Sequence, residues 1–244
     1  MDKVYLITGA TGDIGRALMQ RVYSEGDKFI VQGFGDLDKL DEFEAVHPGS
    51  LYRYDVDLSD RAAVEEFADK IAEECPLPTH IVHLPALPVI NTRFRQFDEG
   101  RFEKDFAIQV KSAITICKKI VPLMAKQKYG HILFMQTSYA LGAPPKNTSS
   151  YVISKTALTG LAKSLAVEYA ASGINVNLVS PSMIETHFLA DTPDLIVEMA
   201  AKNNPMGRNA RIDDVIPAMA FLLSDDASYI TGVNLPITGG SLIL

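Results

Sequence analysis

Ser138, Tyr151 and Lys155, in the middle of the chain, have types and spacing suited to moving a proton: the tyrosine follows the serine by thirteen residues, and the lysine follows the tyrosine by four. From Ser154 to Ala170 the sequence is rich in helix formers, with Leu158, Leu161 and Leu165 at helical steps. Residues four apart on a helix lie one above the other, so Tyr151 and Lys155 share a face. A cation held there favours phenolate over phenol and draws the tyrosine pKa down from about 10. Such a tyrosine can act as general acid or base toward an alcohol or carbonyl oxygen. Ser138, on the loop after a strand, can offer that oxygen a second hydrogen bond. A partly buried ring beside a lysine that reaches to solvent gives the same spacing. The surrounding frame decides between the two.

That frame begins at the N-terminus. Lys3–Ile7 is a short β-forming run of the kind buried on both faces of a sheet. It leads into Thr8-Gly9-Ala10-Thr11-Gly12-Asp13-Ile14-Gly15 and then a helix. Strand, glycine-rich turn and helix together form a dinucleotide-binding fingerprint. The glycines admit a pyrophosphate to the backbone, and the helix end supplies N–H groups and a positive dipole. Asp13 is the wrong charge for that neighbour unless it turns away, for instance as a cap.

The second strand, Lys28–Gln32, ends in Gly33-Phe34-Gly35-Asp36. An acid at that point suits the ribose of NAD and a base the 2′-phosphate of NADP. Asp36, Asp38 and Lys39 together leave NADH and NADPH both open. After the third strand, Leu51–Tyr54, Asp57 can accept from an adenine amino group, and Ser59 is the expected N-cap of a helix over Arg61–Glu74. Strand four, His80–Leu84, enters Pro85-Ala86-Leu87-Pro88, with His83 expected to be structural. A long helix with Phe102, Phe106, Val110, Ala113, Cys117 and Val121 on one face follows, and Gln109 lies beside that face. Lys118, Lys119, Lys126 and Lys128 are expected to complement this helix's C-terminus rather than to dock an acidic partner.

Strands over His131–Met135, Ile174–Val179 and Val233–Ile237 complete the pattern, with a helix opening at Arg211 and a polar stretch over 187–205 suited to a substrate lid. Alternating strands and helices predict a single Rossmann-type, doubly wound parallel sheet of about seven strands over residues 1–244.

Composition narrows the classes of function. The 244 residues are 47% hydrophobic and 22% charged, which suits one globular core. A net charge of −7 argues against nucleic acid. The two cysteines, Cys75 and Cys117, have no metal-site or disulfide-framework spacing. A strand within three residues of the start leaves no room for a signal peptide, and no apolar run reaches membrane-spanning length. A reducing, cytoplasmic setting is the expectation.

Across nearly its whole length the chain resembles the classical short-chain dehydrogenases/reductases, nearest to the bacterial 3-oxoacyl-(acyl-carrier-protein) reductases. The resemblance rests on Thr8–Gly15, Asp57-Leu58, Ser138, Tyr151-x-x-x-Lys155, Ile174-Asn175-Val176-Asn177, Pro181-x-x-Ile184-Glu185-Thr186 and the tail from Asn204 to Gly240. It implies NAD(P)H as cofactor, with Tyr151 as proton donor, Ser138 (or neighbouring Thr137) as its partner, and Lys155 on the nicotinamide ribose. It also implies pyrophosphate contacts at Gly9, Thr11, Gly12, Asp13, Ile14 and Gly15, and adenine contacts at Asp57 and Leu58. Leu84 and Ala86 would line the nicotinamide side, and Pro181, Ile184 and Thr186 the carboxamide.

The implied reaction reduces a ketone, in the nearest relatives a 3-oxoacyl thioester on an acyl carrier protein, in a homodimer or homotetramer. Another small ketone, such as a polyketide or secondary metabolite, and a weakly active partner subunit are the alternatives. Four departures from the family pattern stand out: Asp13 replaces a usual glycine, His83-Leu84-Pro85-Ala86 replaces Asn-Asn-Ala-Gly, Gln109 stands where an asparagine holds the proton-relay water, and the basic residues that select NADPH are missing at Gly12 and Phe34.

Overall fold

The computed structural model describes residues 2–243. Seven strands form one all-parallel sheet in the order β3-β2-β1-β4-β5-β6-β7. They are β1 (Val4–Thr8), β2 (Lys28–Gly33), β3 (Leu51–Asp55), β4 (His80–His83), β5 (Gly130–Met135), β6 (Ile174–Pro181) and β7 (Asn234–Ile237). Every residue of β1 and β4 is buried, as strands covered on both faces require. One apolar layer packs under α3 (Arg61–Glu74), α5 (Ser112–Gln127) and α6 (Ser149–Tyr169). The other packs under α1 (Asp13–Val22) and α8 (Ile212–Leu222). The remaining helices are α2 (Asp41–Val46), α4 (Glu99–Phe106) and α7 (Asp194–Asn203). No helix among the described residues is long and apolar enough to cross a membrane.

The strand order reverses between β1 and β4, which opens a crevice beyond their carboxyl ends. Register brings the loops together there. Thr8 lies opposite His83, His83 opposite Phe134, and Met135 opposite Val179.

Several local expectations need correction. The long helix expected from Phe102 to Val121 is interrupted by a π-helical turn, Ala107–Lys111, between α4 and α5. The helix of Tyr151 starts at Ser149 rather than Ser154. Asp60, not Ser59, caps α3, accepting from the Ala62 and Ala63 N–H groups. The Ser59 hydroxyl instead donates to Asp57 at 2.7 Å. Lys119 is paired with Asp69 across α5 and α3.

Candidate active site

A cavity of about 790 Å³ fills the crevice, a volume suited to a small-molecule ligand. Of the residues singled out in the sequence, Gly9, Thr11, Gly12, Asp13, Ile14, Gly15, Leu84, Ala86, Tyr151, Lys155, Pro181, Ile184 and Thr186 line it. Ser138, Gln109, Asp57 and Leu58 do not. Leu58 is core, 5% exposed, and Asp57 Oδ1 is taken by the backbone and hydroxyl of Ser59.

The glycine turn fits a pyrophosphate. Gly9 has φ +69°, and a Cβ there would stand 3.2 Å from the Pro85 nitrogen. A Cβ on Gly15 would stand 2.6 Å from the Ala10 carbonyl oxygen, so only glycine lets α1 pack this close to its strand. At Gly12 a Cβ would meet nothing closer than 3.5 Å, and the bare backbone faces the cavity at the start of α1.

Asp13 turns aside. Its Oδ2 accepts from the backbone N–H of His187 at 2.8 Å and from His187 Nδ1 at 3.2 Å, and its Oδ1 accepts from Arg16 at 2.7 Å. Burial raises its pKa, but these hydrogen bonds outweigh burial and hold the carboxyl below its ordinary range. It is not a cap, since the N-cap of α1 is Gly12. Its charge instead ties the glycine turn to the 187–205 segment. That segment is a short turn, His187–Leu189, followed by α7, and it lays Phe188, Leu189, Thr192, Ile196 and Ala200 over the cavity.

Opposite the glycine turn, Lys155 is 1% exposed and its Nζ donates to the Met135 carbonyl at 2.8 Å. Gln136 Nε2 donates to the Lys155 carbonyl and, at 2.5 Å, to Thr159 Oγ1, pinning α6 to the exit of β5. Burial draws the Lys155 pKa down to about 8, and the nearby Asp105 carboxylate partly offsets this. Lys155 Nζ lies 5.8 Å from the centre of the Tyr151 ring.

The phenol is not drawn down as the spacing predicts. Burial pushes the Tyr151 pKa well up, against the hydrogen bond from Thr137, and Tyr139 and Asp105 add to the rise. The structure therefore presents a phenol that keeps its proton at neutral pH, which is the form that can donate one.

Of the two candidate hydroxyl residues, Thr137 lines the cavity with that phenol and Ser138 does not. Counting back thirteen residues from Tyr151 runs through an irregular loop, which can absorb a residue. Counting forward from β5, whose register with β6 ends at Met135, delivers Thr137 to the cavity. Ser138 starts the short helical turn Ser138–Ala140.

Gln109 is fully buried in the π-helical turn. Its Nε2 donates to Asp105 Oδ2 at 2.7 Å, its backbone carbonyl accepts from His83 Nε2 at 2.8 Å, and its Oε1 has no partner among the described residues. Asp105 Oδ1 also accepts from the Leu87 N–H at 3.0 Å. The wall formed by His83-Leu84-Pro85-Ala86 is thus braced by a histidine and a carboxylate in place of asparagine amides. Asp105 gave no sequence signal beyond its position four residues before Gln109.

The histidine tautomer follows from this network. A carbonyl only accepts, so His83 Nε2 carries the proton and Nδ1 accepts from the Thr8 hydroxyl at 2.7 Å. His80 donates its Nε2–H to the Leu223 carbonyl at 3.0 Å in the same way. Burial lowers both pKa values to about 3. The unfolded chain binds protons below about pH 6.5 that the folded chain refuses, so stability present above that pH is lost as pH falls toward about 3. The urea midpoint is expected to drop between about pH 6.5 and 4.5, above the carboxylate range. A midpoint that stays flat across that window contradicts the assignment of both rings as neutral.

A glycine cradle at the switch point facing a tyrosine–lysine pair is a dinucleotide oxidoreductase arrangement. A family model described as enoyl-(acyl carrier protein) reductase matches residues 9–241. The chain belongs to the short-chain dehydrogenase/reductase family. As a member of that family it is an NAD(P)-dependent oxidoreductase.

Among curated members, it is 29% identical over 243 residues to the 3-oxoacyl-(acyl-carrier-protein) reductase of Thermotoga maritima, covering 99% of this chain and 98% of that one. The reductase of the same name from Rickettsia felis is 30% identical, covering 99% and 98%. The D-beta-hydroxybutyrate dehydrogenase of Rhizobium meliloti is 25% identical, covering 98% of both chains.

Among solved family structures, a Beutenbergia cavernae protein carries the provisional name NAD(P)-dependent gluconate 5-dehydrogenase and was crystallised with NADP. It superposes with a TM-score of 0.90 at 25% identity, covering 98% of this chain and 96% of that one. Levodione reductase superposes at 0.88 with 26% identity, covering 98% and 97%.

Proposed function

We propose that the protein reduces a ketone to a secondary alcohol, with a 3-oxoacyl thioester on an acyl carrier protein as substrate. The observation that carries this reading is that Tyr151, Thr137 and Lys155 line one cavity with the glycine cradle. The thioester is supported by the relatives named as 3-oxoacyl reductases, which align over nearly their full length.

In this reading NAD(P)H, bound along the glycine turn, supplies the hydride. Tyr151 gives its proton to the carbonyl oxygen, and the Thr137 hydroxyl donates a second hydrogen bond to it. Lys155 stabilises the phenolate left behind and holds the ribose, while Gly9, Gly12 and Ile14 take the pyrophosphate. Pro181, Ile184 and Thr186, which line the cavity, would flank the carboxamide. Gln109 acts through its backbone and Asp105 to keep the cavity wall in place. The 187–205 segment closes over the substrate, excluding water.

Asp36 and Lys39, joined to each other at 2.9 Å, stand at the ribose end with neither charge free, so both coenzymes enter the assays. A homodimer or homotetramer is part of the proposal, supported by exposed apolar residues such as Val167, 84% exposed on α6.

The test compares kcat/KM for acetoacetyl N-acetylcysteamine, acetoacetate and a ketose such as 5-ketogluconate. The thioester is expected to be favoured by at least about tenfold, since the free acid and polyol leave polar groups unpaired in an apolar site. Preference for acetoacetate or the ketose assigns the enzyme to a different substrate.

A further inference from the structure

The stretch around the start of α4 carries three arginines within nine residues, Arg93 and Arg95 ahead of the helix and Arg101 in its first turn, on a chain of net charge −7. Arg93 and Arg95 are exposed and flank Phe94, which is 75% exposed and rests against Phe97 at a ring separation of 5.9 Å. None of the three arginines takes part in an ion pair among the described residues. The nearest acids in sequence form no ion pair with them among the described residues. Asp98 is occupied as the cap of α4, accepting the Arg101 N–H at 2.9 Å, and Glu99 is an exposed first-turn residue.

This patch adjoins the way into the active site. Arg101 Nη2 donates to the Pro88 carbonyl at 2.7 Å, and its guanidinium lines a second cavity of about 480 Å³ together with Asp191. That cavity shares Val89, Asn91, Thr192 and Ile196 with the main one, so the two lie side by side. The Thr92 N–H donates to the Asn147 carbonyl at 2.9 Å, which sets the arginine segment beside exposed Lys146 on the main cavity's rim.

We propose that Arg93, Phe94 and Arg95 form the docking surface for an acidic carrier protein, whose thioester-bearing arm reaches the active site past Arg101. The proposal rests on the thioester reading above. Two unpaired guanidinium groups around an exposed aromatic ring are the residue types that dominate binding energy at interfaces. A positive rim on a protein of negative net charge attracts an acidic partner to that face. The α5 lysines are a weaker fit, because none of them lines either cavity, whereas Arg101 lines the second.

The experiment uses the full-length enzyme and the Arg93→Glu/Arg95→Glu variant, with acetoacetyl carrier protein, acetoacetyl-CoA and acetoacetyl N-acetylcysteamine as substrates. Unmodified carrier protein is the ligand in a separate binding titration. The variant is expected to lose about tenfold or more in kcat/KM and in affinity for the carrier protein, and to lose the salt dependence shown by the native enzyme. Its activity on the truncated thioester should stay within about twofold, as the rim lies outside the reacting centre.

Equal carrier-protein binding by the two proteins overturns the docking surface, whatever happens to turnover. So does a parallel loss on all three substrates. A loss shared by the carrier protein and CoA, with the truncated thioester spared, replaces protein docking with recognition of the phosphate common to both. A native enzyme that binds the carrier protein through these arginines yet reduces none of the thioesters overturns the substrate reading and leaves the docking surface standing.

Discussion

Replacing Tyr151 with phenylalanine is expected to lower turnover by about 1,000-fold, within the usual worth of a positioned general acid. The phenyl ring keeps the volume and the packing, and only the hydroxyl that faces Thr137 and the cavity is lost. Coenzyme affinity and melting temperature should therefore change little. Steady-state rates, a fluorescence titration of NADH and NADPH, and a thermal melt on the same preparation check all three. Unchanged turnover contradicts the role given to the phenol. A loss of coenzyme affinity as large as the loss of rate would instead make Tyr151 a binding residue.

Lys155→Met carries the second large effect, and it separates activity from stability. The native ammonium is buried, with its pKa drawn down to about 8 against about 10.4 in an unfolded chain. It is therefore charged at neutral pH in a place that resists charge. Methionine matches the stem and removes that burden, although it leaves the Met135 carbonyl without its donor. Turnover should fall by about 100-fold or more because the phenolate loses its cation, while the melting temperature stays near the native value.

The sign of the pH dependence follows. Reduction needs the charged lysine, so the native rate should decline as pH rises through about 8, and the variant's residual rate should lack that limb. Between about pH 8 and 10.4 the unfolded native chain binds a proton that the folded chain has released, so native stability should rise relative to the variant. Coincident profiles for the two proteins would show that Lys155 is not the titrating group.

The parts of this architecture that were legible in advance are those set by local periodicity. β1, its glycine turn and α1 follow from an apolar run, three glycines and a helical pattern that agree with one another. Tyr151 and Lys155 lie on one continuous helix, where spacing translates directly into position.

Positions reached across a loop were not recoverable in that way. Ser138 was placed by its distance from Tyr151, yet the register of β5 brings Thr137 to the cavity. The apolar face from Phe102 to Val121 reads equally well through a π-helical turn, because one extra residue shifts the stripe only slightly. The break that lets the Gln109 carbonyl accept from His83 was therefore invisible. Asp105 belongs to the same class, since its partners Leu87 and Gln109 meet only after the chain has folded. The fate of Asp13 depended on His187, 174 residues away.

The most direct test of the account is a titration of the native enzyme with NADH and with NADPH, followed by acetoacetyl N-acetylcysteamine while nicotinamide absorbance is recorded. The account predicts saturable binding of at least one coenzyme, and oxidation of that coenzyme in proportion to the thioester added. Binding of a coenzyme with no oxidation by the thioester or by any ketone in the panel would contradict a working Thr137–Tyr151–Lys155 centre. Failure to bind either coenzyme would contradict the glycine cradle itself.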